Sequence, residues 1–166
     1  VIPCKNYTHQ TKYTLPIPPS PNLPNMKAVY LYPATCYFEA TPVSLGRGTS
    51  LPFQVYGHPN MTGYDYSFTP KSVPGAKNPP QLNKLCHGVN LSNMSDEEIW
   101  KRGVDLSYVI DAYKNLNIGD HFFRPFFELL VGTDYVRKMI IEGKSAEEIK
   151  NRWKGDVEKF KEQRKP

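Results

Sequence analysis

The sequence predicts an α+β fold, with a mixed or antiparallel sheet in the first half and amphipathic helices in the second. Three observations lead there. Short β-branched and aromatic runs with period-two alternation fall before residue 95. Apolar residues at helical spacing, opened by capping signals, fall after it. The 16 prolines cluster before residue 80 and cut that region into short elements and long ordered loops. Strands and helices that segregate along the chain argue against an alternating, doubly wound sheet. A length of 166 residues suits a single domain with a real core.

Residues 1–27 are polar and end in "LPIPPSPNLPNM". Proline fixes φ and holds its predecessor extended, so this stretch is an ordered connector. Residues 28–94 are the strand-rich part. Ala28 to Tyr32 is β-branched and aromatic, and Pro33 stops it, which predicts a buried strand. "LPFQVYGHP" sets Phe53 and Val55 against Gln54 and Tyr56, a half-buried strand closed by Gly57 and Pro59. "YDYSFTP" alternates through Tyr64, Tyr66 and Phe68. "LNKLCHGVNL" predicts a further strand, with Leu85 and Val89 apolar and Gly88 at a bulge.

Residues 95–166 are the helical part. Ser95 with Glu98, and Ser145 with Glu148, have the spacing of capping boxes. Leu106, Val109, Ile110 and Tyr113 share one helix face. Pro125 opens a helical stretch that Gly132 and Gly143 punctuate. Ile149, Trp153, Val157 and Phe160 form the stripe of a long amphipathic helix.

Part of the net charge of +5 resides in the tail "KGDVEKFKEQRKP", where both signs alternate on a solvated helix. No basic run interleaves with stacking aromatics, so no nucleic-acid partner is predicted. Cys4, Cys36 and Cys86 form no C-x-x-C, which argues against structural zinc; one disulfide or three free thiols both fit. No apolar run approaches the ~18 residues of a membrane span. The start at Val1 suggests the interior of a longer protein or a processed product.

The chemistry concentrates in "FEATPVSLGRGT", residues 38–49. Gly46 and Gly48 flank Arg47, whose planar fork suits a carboxylate or phosphate. Ser44 and Thr49 add hydroxyls. The string is not a P-loop, having neither its lysine nor a following helix signal. Taken alone it also fits a tight turn in which Arg47 pairs with Glu39. Glu39 is expected to emerge from the sheet interior, where a carboxylate must be paired or shifted in pKa. It is a candidate acid or base, or else a group that orients Arg47; the residues alone leave both open.

Glycoside hydrolysis usually takes two carboxylates. Asp65, beside exposed-looking tyrosines, is a poor second, and Asp105, Asp111 and Asp120 fit helix faces and caps. His9, His58, His87 and His121 are scattered without metal-ligand spacing, so neither metal nor cofactor is predicted. His58 lies at a strand end, where loops reach ligands. Ser20 lacks a nucleophile-elbow context, and no spacing makes Cys36 or Cys86 a thiol nucleophile. Nine aromatic residues between Tyr30 and Phe68 belong mainly to the core, with the few at loop edges free to stack on sugar rings.

"PPSPNLP", "LYPATCYFEATPVSLGRGTSLPFQVYGHP" and "CHGV" together resemble the carboxyl-terminal half of the bacterial exo-β-N-acetylmuramidase family. The ending "GTDYVRKMIIEGKSAEEIKNRWKGDVEKFKEQRKP" is similar to that family's last helices. The resemblance implies an exported glycosidase that releases N-acetylmuramic acid from non-reducing ends of peptidoglycan fragments. It implies an amino-terminal Rossmann-like half, absent from this chain, with the pocket between the halves and the main catalytic groups in the absent one. The expected partners are a peptidoglycan-derived sugar or muropeptide and that other half. Carried over as pocket-wall groups are Glu39, Thr41, Ser44, Gly46, Arg47, Gly48 and Thr49, with Ser20, Pro21 and Asn22. Arg47 is expected to bind the lactyl carboxylate of muramic acid. Ala34 and Ala40 replace glycines of the family pattern and are expected to add methyls beside the site. The alternatives are a non-catalytic cell-wall carbohydrate-binding module and a purely structural domain.

Overall fold

The computed structural model describes residues 2, 4–8 and 10–165; the expectation for His9 lies outside them. Among the described residues the architecture is α+β: six α-helices and one small antiparallel sheet, with the three strands ahead of five of the helices. The sheet, expected as mixed or antiparallel, is antiparallel throughout.

The first element corrects the sequence reading. Residues Met26–Thr35 form helix α1 where Ala28–Tyr32 predicted a strand. Asn25 caps it, its side-chain oxygen accepting from the Ala28 N–H at 2.9 Å. Ala28, Leu31, Ala34 and Thr35 are buried, three to four residues apart, so one helical stripe faces the core. Packing against the helices at 96–102 and 107–116 outweighs the strand-like composition. Pro33 does not stop the helix. It falls in the last turns, and the chain then tightens into a 3-10 turn at Cys36–Ala40. Glu39 therefore leaves a helical end and not a sheet interior.

Strands β1 (Val55–His58), β2 (Tyr66–Phe68) and β3 (Cys86–Asn90) lie in the order β1-β3-β2. Val55, Tyr56 and Gly57 are all buried, so β1 shows no half-buried alternation. Phe53 and Gln54 precede the strand and do not belong to it. No bulge occurs at Gly88: the register runs unbroken from Val55 opposite Asn90 to His58 opposite His87. Gly88 instead permits close approach, since a Cβ there would lie 1.9 Å from the Tyr56 carbonyl oxygen. Leu85, expected as an apolar strand position, lies outside β3 and is exposed.

Helix α2 (Asp96–Arg102) has half of its expected capping box: the Ser95 hydroxyl accepts from the Glu98 N–H at 3.1 Å, while the Glu98 carboxylate takes Arg102 at 2.9 Å. Helix α3 (Ser107–Leu116) buries Val109 and Ile110 as its spacing predicted. The stretch after Pro125 is two helices, α4 (Phe126–Val131) and α5 (Tyr135–Ile141), parted at Gly132 with φ +74°. Helix α6 (Ala146–Gln163) has the complete box, with Ser145 and Glu148 exchanging hydrogen bonds at 2.8 and 3.2 Å. Only its beginning packs: Ile149 is buried, whereas Val157 and Phe160 are 42% and 61% exposed.

The main core joins α1, the 3-10 turn, α3, α4, α5 and the start of α6. Phe38 stacks on Tyr56 at 4.8 Å, tying the 3-10 turn to β1. One Asp111 oxygen on α3 accepts from the Tyr56 and Tyr64 hydroxyls at 2.9 and 2.7 Å. Burial, and then that carboxylate, pushes both phenols above their usual range. No helix among the described residues is long and apolar enough to cross a membrane.

The Gly88 approach gives a direct test of the register. Gly88→Ala should cost about 2–3 kcal/mol and lower the melting temperature by roughly 5–10 °C in calorimetry. A neutral substitution would mean that β1 and β3 are not paired as described.

Candidate functional site

A cleft of about 280 Å³ is lined by Ser20, Asn22, Leu23, Tyr32, Glu39, Arg47 and Phe53. Four of these were candidates from sequence. Each arrives on a short, backbone-fixed element.

Arg47 stands on a loop secured at both ends. Ser44 pairs with Gly57 of β1 through two backbone hydrogen bonds of 2.9 Å. The Gly48 carbonyl accepts from the Lys71 N–H at 2.9 Å, and Gln81 donates to the Pro42 carbonyl at 2.9 Å. Gly46 and Gly48 have φ of +78° and +82°, and added Cβ atoms would lie 2.5 Å from the Leu51 oxygen and 2.3 Å from the Lys71 oxygen. Both positions therefore require glycine twice over, for backbone conformation and for space.

The hydroxyls of this string are used internally. Thr41 donates to the Phe38 carbonyl at 2.9 Å and accepts from the Val43 N–H at 3.2 Å. Ser44 is buried, its hydroxyl accepting weakly from the Gly46 N–H at 3.4 Å. Thr49 donates to the Gly46 carbonyl at 2.7 Å and accepts from the Leu51 N–H at 3.0 Å. Thr41, Ser44, Gly46, Gly48 and Thr49 shape the loop, and none of them lines the cleft.

The opposite wall is a turn in the proline-rich connector. Leu23 donates its N–H to the Ser20 carbonyl at 2.9 Å, and the Ser20 hydroxyl accepts from the Asn22 N–H at 3.2 Å. The Asn22 amide donates to the Gly75 carbonyl at 2.9 Å, which holds the turn against a distant loop. Pro21 packs where a Gly75 Cβ would come within 2.8 Å. His58 is elsewhere: its Nδ1 accepts from the Asn60 N–H at 3.1 Å, in a turn that closes β1. Burial, and then Lys84, holds its imidazole below the usual value.

Tyr32 and Phe53 were not singled out as site residues. Their rings lie 5.1 Å apart and form the cleft's aromatic wall. Tyr32 and Glu39 are seven residues apart, two helical turns, a spacing that a helix at Ala28–Tyr32 would have disclosed. Phe53 has φ +59°, strained for a bulky side chain, and its N–H donates to the Leu45 carbonyl at 2.7 Å. No sequence signal marks that conformation.

The electrostatics are unresolved within the protein. Arg47 lies 3.9 Å from the Glu39 carboxylate, too far for a hydrogen bond. Among the described residues, the buried Arg47 Nε–H has no acceptor. Desolvation raises the Glu39 carboxyl above its usual value, and Arg47 opposes that rise only in part. Glu39 in turn helps to raise Tyr32 and Cys36, after burial in each case, and Cys36 is pushed up to about 11. Cys86 is likewise pushed up to about 11 by burial. Neither thiol is set up as a neutral-pH nucleophile, and Cys4, Cys36 and Cys86 are all free.

Among the described residues, Glu39 is the single carboxylate lining the cleft. Asp65 is exposed and apart from it, Asp111 serves the two tyrosines, and Asp105 caps α3 through the Ser107 N–H at 2.8 Å. Ala34 and Ala40 point into the core, 4% and 0% exposed, so their methyls do not narrow the cleft. The site offers one guanidinium, one destabilised carboxylate and an aromatic wall. Such a set grips a small ligand that carries an anion, hydrogen-bond donors and an apolar face.

Comparison with known proteins places the chain in a family. The family described as exo-beta-N-acetylmuramidase NamZ, C-terminal, matches residues 30–166. The peptidoglycan beta-N-acetylmuramidase NamZ of Bacillus subtilis (strain 168) is 33% identical over 162 residues, which cover 89% of this chain and 38% of that protein. A crystal structure of a DUF1343 family protein from Bacteroides fragilis is 83% identical with a TM-score of 0.97, over 99% of this chain and 47% of that one. A second DUF1343 structure from the same organism, 19% identical with a TM-score of 0.61, shares the fold over 88% of this chain and 43% of its own. The chain thus spans less than half the length of these relatives. It belongs to the exo-β-N-acetylmuramidase NamZ family, within the part described as C-terminal.

Proposed function

We propose that this chain is the substrate-side half of an exported glycosidase that releases N-acetylmuramic acid from the non-reducing ends of peptidoglycan fragments. An amino-terminal Rossmann-like half supplies the other wall of the pocket and the remaining catalytic groups. The observation that carries this reading is the Arg47 guanidinium, which lines the cleft and makes no hydrogen bond to the Glu39 carboxylate 3.9 Å away. Muramic acid differs from glucosamine by a lactyl ether at O3, which adds a carboxylate. A planar fork held on a fixed loop binds that group through charge-assisted hydrogen bonds.

The division of labour follows from the carboxylate count. Hydrolysis adds water across the glycosidic bond, the proton going to the leaving oxygen and the hydroxyl to the anomeric carbon. Most glycosidases use two carboxyl groups for this, and this cleft is lined by one. Glu39 therefore works with a group from the other half or serves binding alone. Tyr32 and Phe53 offer an aromatic surface to the apolar side of the pyranose ring.

Arg47→Ala in the full-length protein should weaken muramoyl substrates by about 10- to 100-fold in kcat/KM and leave carboxylate-free analogues nearly unchanged. Equal loss for both would remove Arg47 from carboxylate binding. A second expectation concerns charge. The raised Glu39 carboxyl means that the folded state holds its proton to higher pH than the unfolded state does. Stability is thus lost as pH rises from the ordinary glutamate value through the folded one. In urea melts Glu39→Gln should match the parent near pH 4 and gain on it toward pH 7; a constant offset would refute the desolvation account.

A further inference from the structure

We propose that Glu39 reads the free C4 hydroxyl of a terminal 3-O-lactyl sugar whose carboxylate is held by Arg47, and so sets the preference for chain ends. This inference rests on the proposed function and adds a specificity role to a second residue of the same cleft.

The two charged groups have opposite needs. The Arg47 guanidinium faces the cleft with its Nη1 short of hydrogen-bond reach of Glu39, and the half-buried Glu39 carboxylate accepts no hydrogen bond from any described residue. They do not meet each other's need at 3.9 Å. A ligand that satisfies both must present an acceptor to Arg47 and a donor to Glu39, side by side. A second carboxylate on the ligand cannot serve Glu39, since like charges repel.

A 3-O-lactyl pyranose places an acceptor next to donors. The lactyl group on C3 supplies the carboxylate. Its two ring neighbours are the C2 acetamido N–H and the C4 hydroxyl. The acetamido group also carries a methyl, which fits the aromatic wall of Tyr32 and Phe53 beside the charged pair. That leaves the C4 hydroxyl for Glu39. Inside a glycan strand O4 carries the next sugar and has no proton to donate. Only the non-reducing terminal residue offers a free hydroxyl there.

Equilibrium binding to the full-length protein decides the matter without turnover. The probes are N-acetylmuramic acid, its 4-deoxy analogue, its 2-hydroxy analogue without the acetamido group, and N-acetylglucosamine. Calorimetry is run on the parent, Glu39→Gln, Glu39→Ala and Arg47→Ala, with thermal melts to confirm folding. The parent should favour the 4-hydroxyl sugar over the 4-deoxy one by roughly tenfold or more, as expected for a hydrogen bond to a charged group. That preference should shrink in Glu39→Gln and fall to about one in Glu39→Ala, while Arg47→Ala keeps it.

Should Glu39→Ala fail to fold, Glu39→Gln alone decides. A 4-hydroxyl preference absent from the parent, or intact in the Glu39 variants, overturns the proposal. Loss of discrimination at C2 in place of C4 overturns it as well and reassigns Glu39 to the acetamido group. If Arg47→Ala still separates N-acetylmuramic acid from N-acetylglucosamine as the parent does, the carboxylate reading of the cleft fails, whatever Glu39 does.

Discussion

Two backbone hydrogen bonds between Ser44 and Gly57 decide where Arg47 stands. They graft the motif loop onto β1, and β1 is in turn locked to β3 by a register that admits nothing larger than glycine at residue 88. Phe38 then stacks on Tyr56 of the same strand, which brings the 3-10 turn and Glu39 to the same edge. The cleft is a consequence of this grafting. Its charged residues need no direct bond to one another, because the scaffold positions each of them separately.

That independence explains an otherwise poor electrostatic arrangement. A surface ion pair contributes about 0–1 kcal/mol even with good geometry, and this one lacks hydrogen-bond contact. Stability gives no reason to keep a desolvated carboxylate beside an incompletely satisfied guanidinium. The proposed binding role does: a cleft whose polar groups are already paired internally must break those bonds before it takes a ligand. The hydroxyls of Thr41, Ser44 and Thr49 show the contrast, since they are engaged within the loop and do not line the cleft.

Sequence and structure part company in instructive places. The second half was legible because its signals are local: serine caps, glycine stops and apolar stripes act within one or two turns. The motif string was legible as a constrained loop, and the Glu39 and Arg47 neighbourhood holds. Helix α1 was misread because Val29, Tyr30 and Tyr32 favour strands locally, whereas burial of Ala28, Leu31, Ala34 and Thr35 against α2 and α3 is a tertiary effect. That single error hid Tyr32 from the site. The positive φ of Phe53 and the Gly57–Gly88 approach depend on how three segments meet, which no window of sequence contains. Residues read as ligand-facing from the motif proved to be of two kinds, those that face the cleft and those that hold the ones that do.

The clamped loop around Arg47 also has a thermodynamic meaning. Gly46, Gly48 and the bonds to Gly57, Lys71 and Gln81 remove the loop's freedom as the chain folds. The entropy of ordering is then lost before any ligand arrives, so little further backbone ordering is left to oppose association. A flexible arginine would lose that freedom at each encounter. Here the turn acts as a stored conformation, and even a small ligand would exploit it.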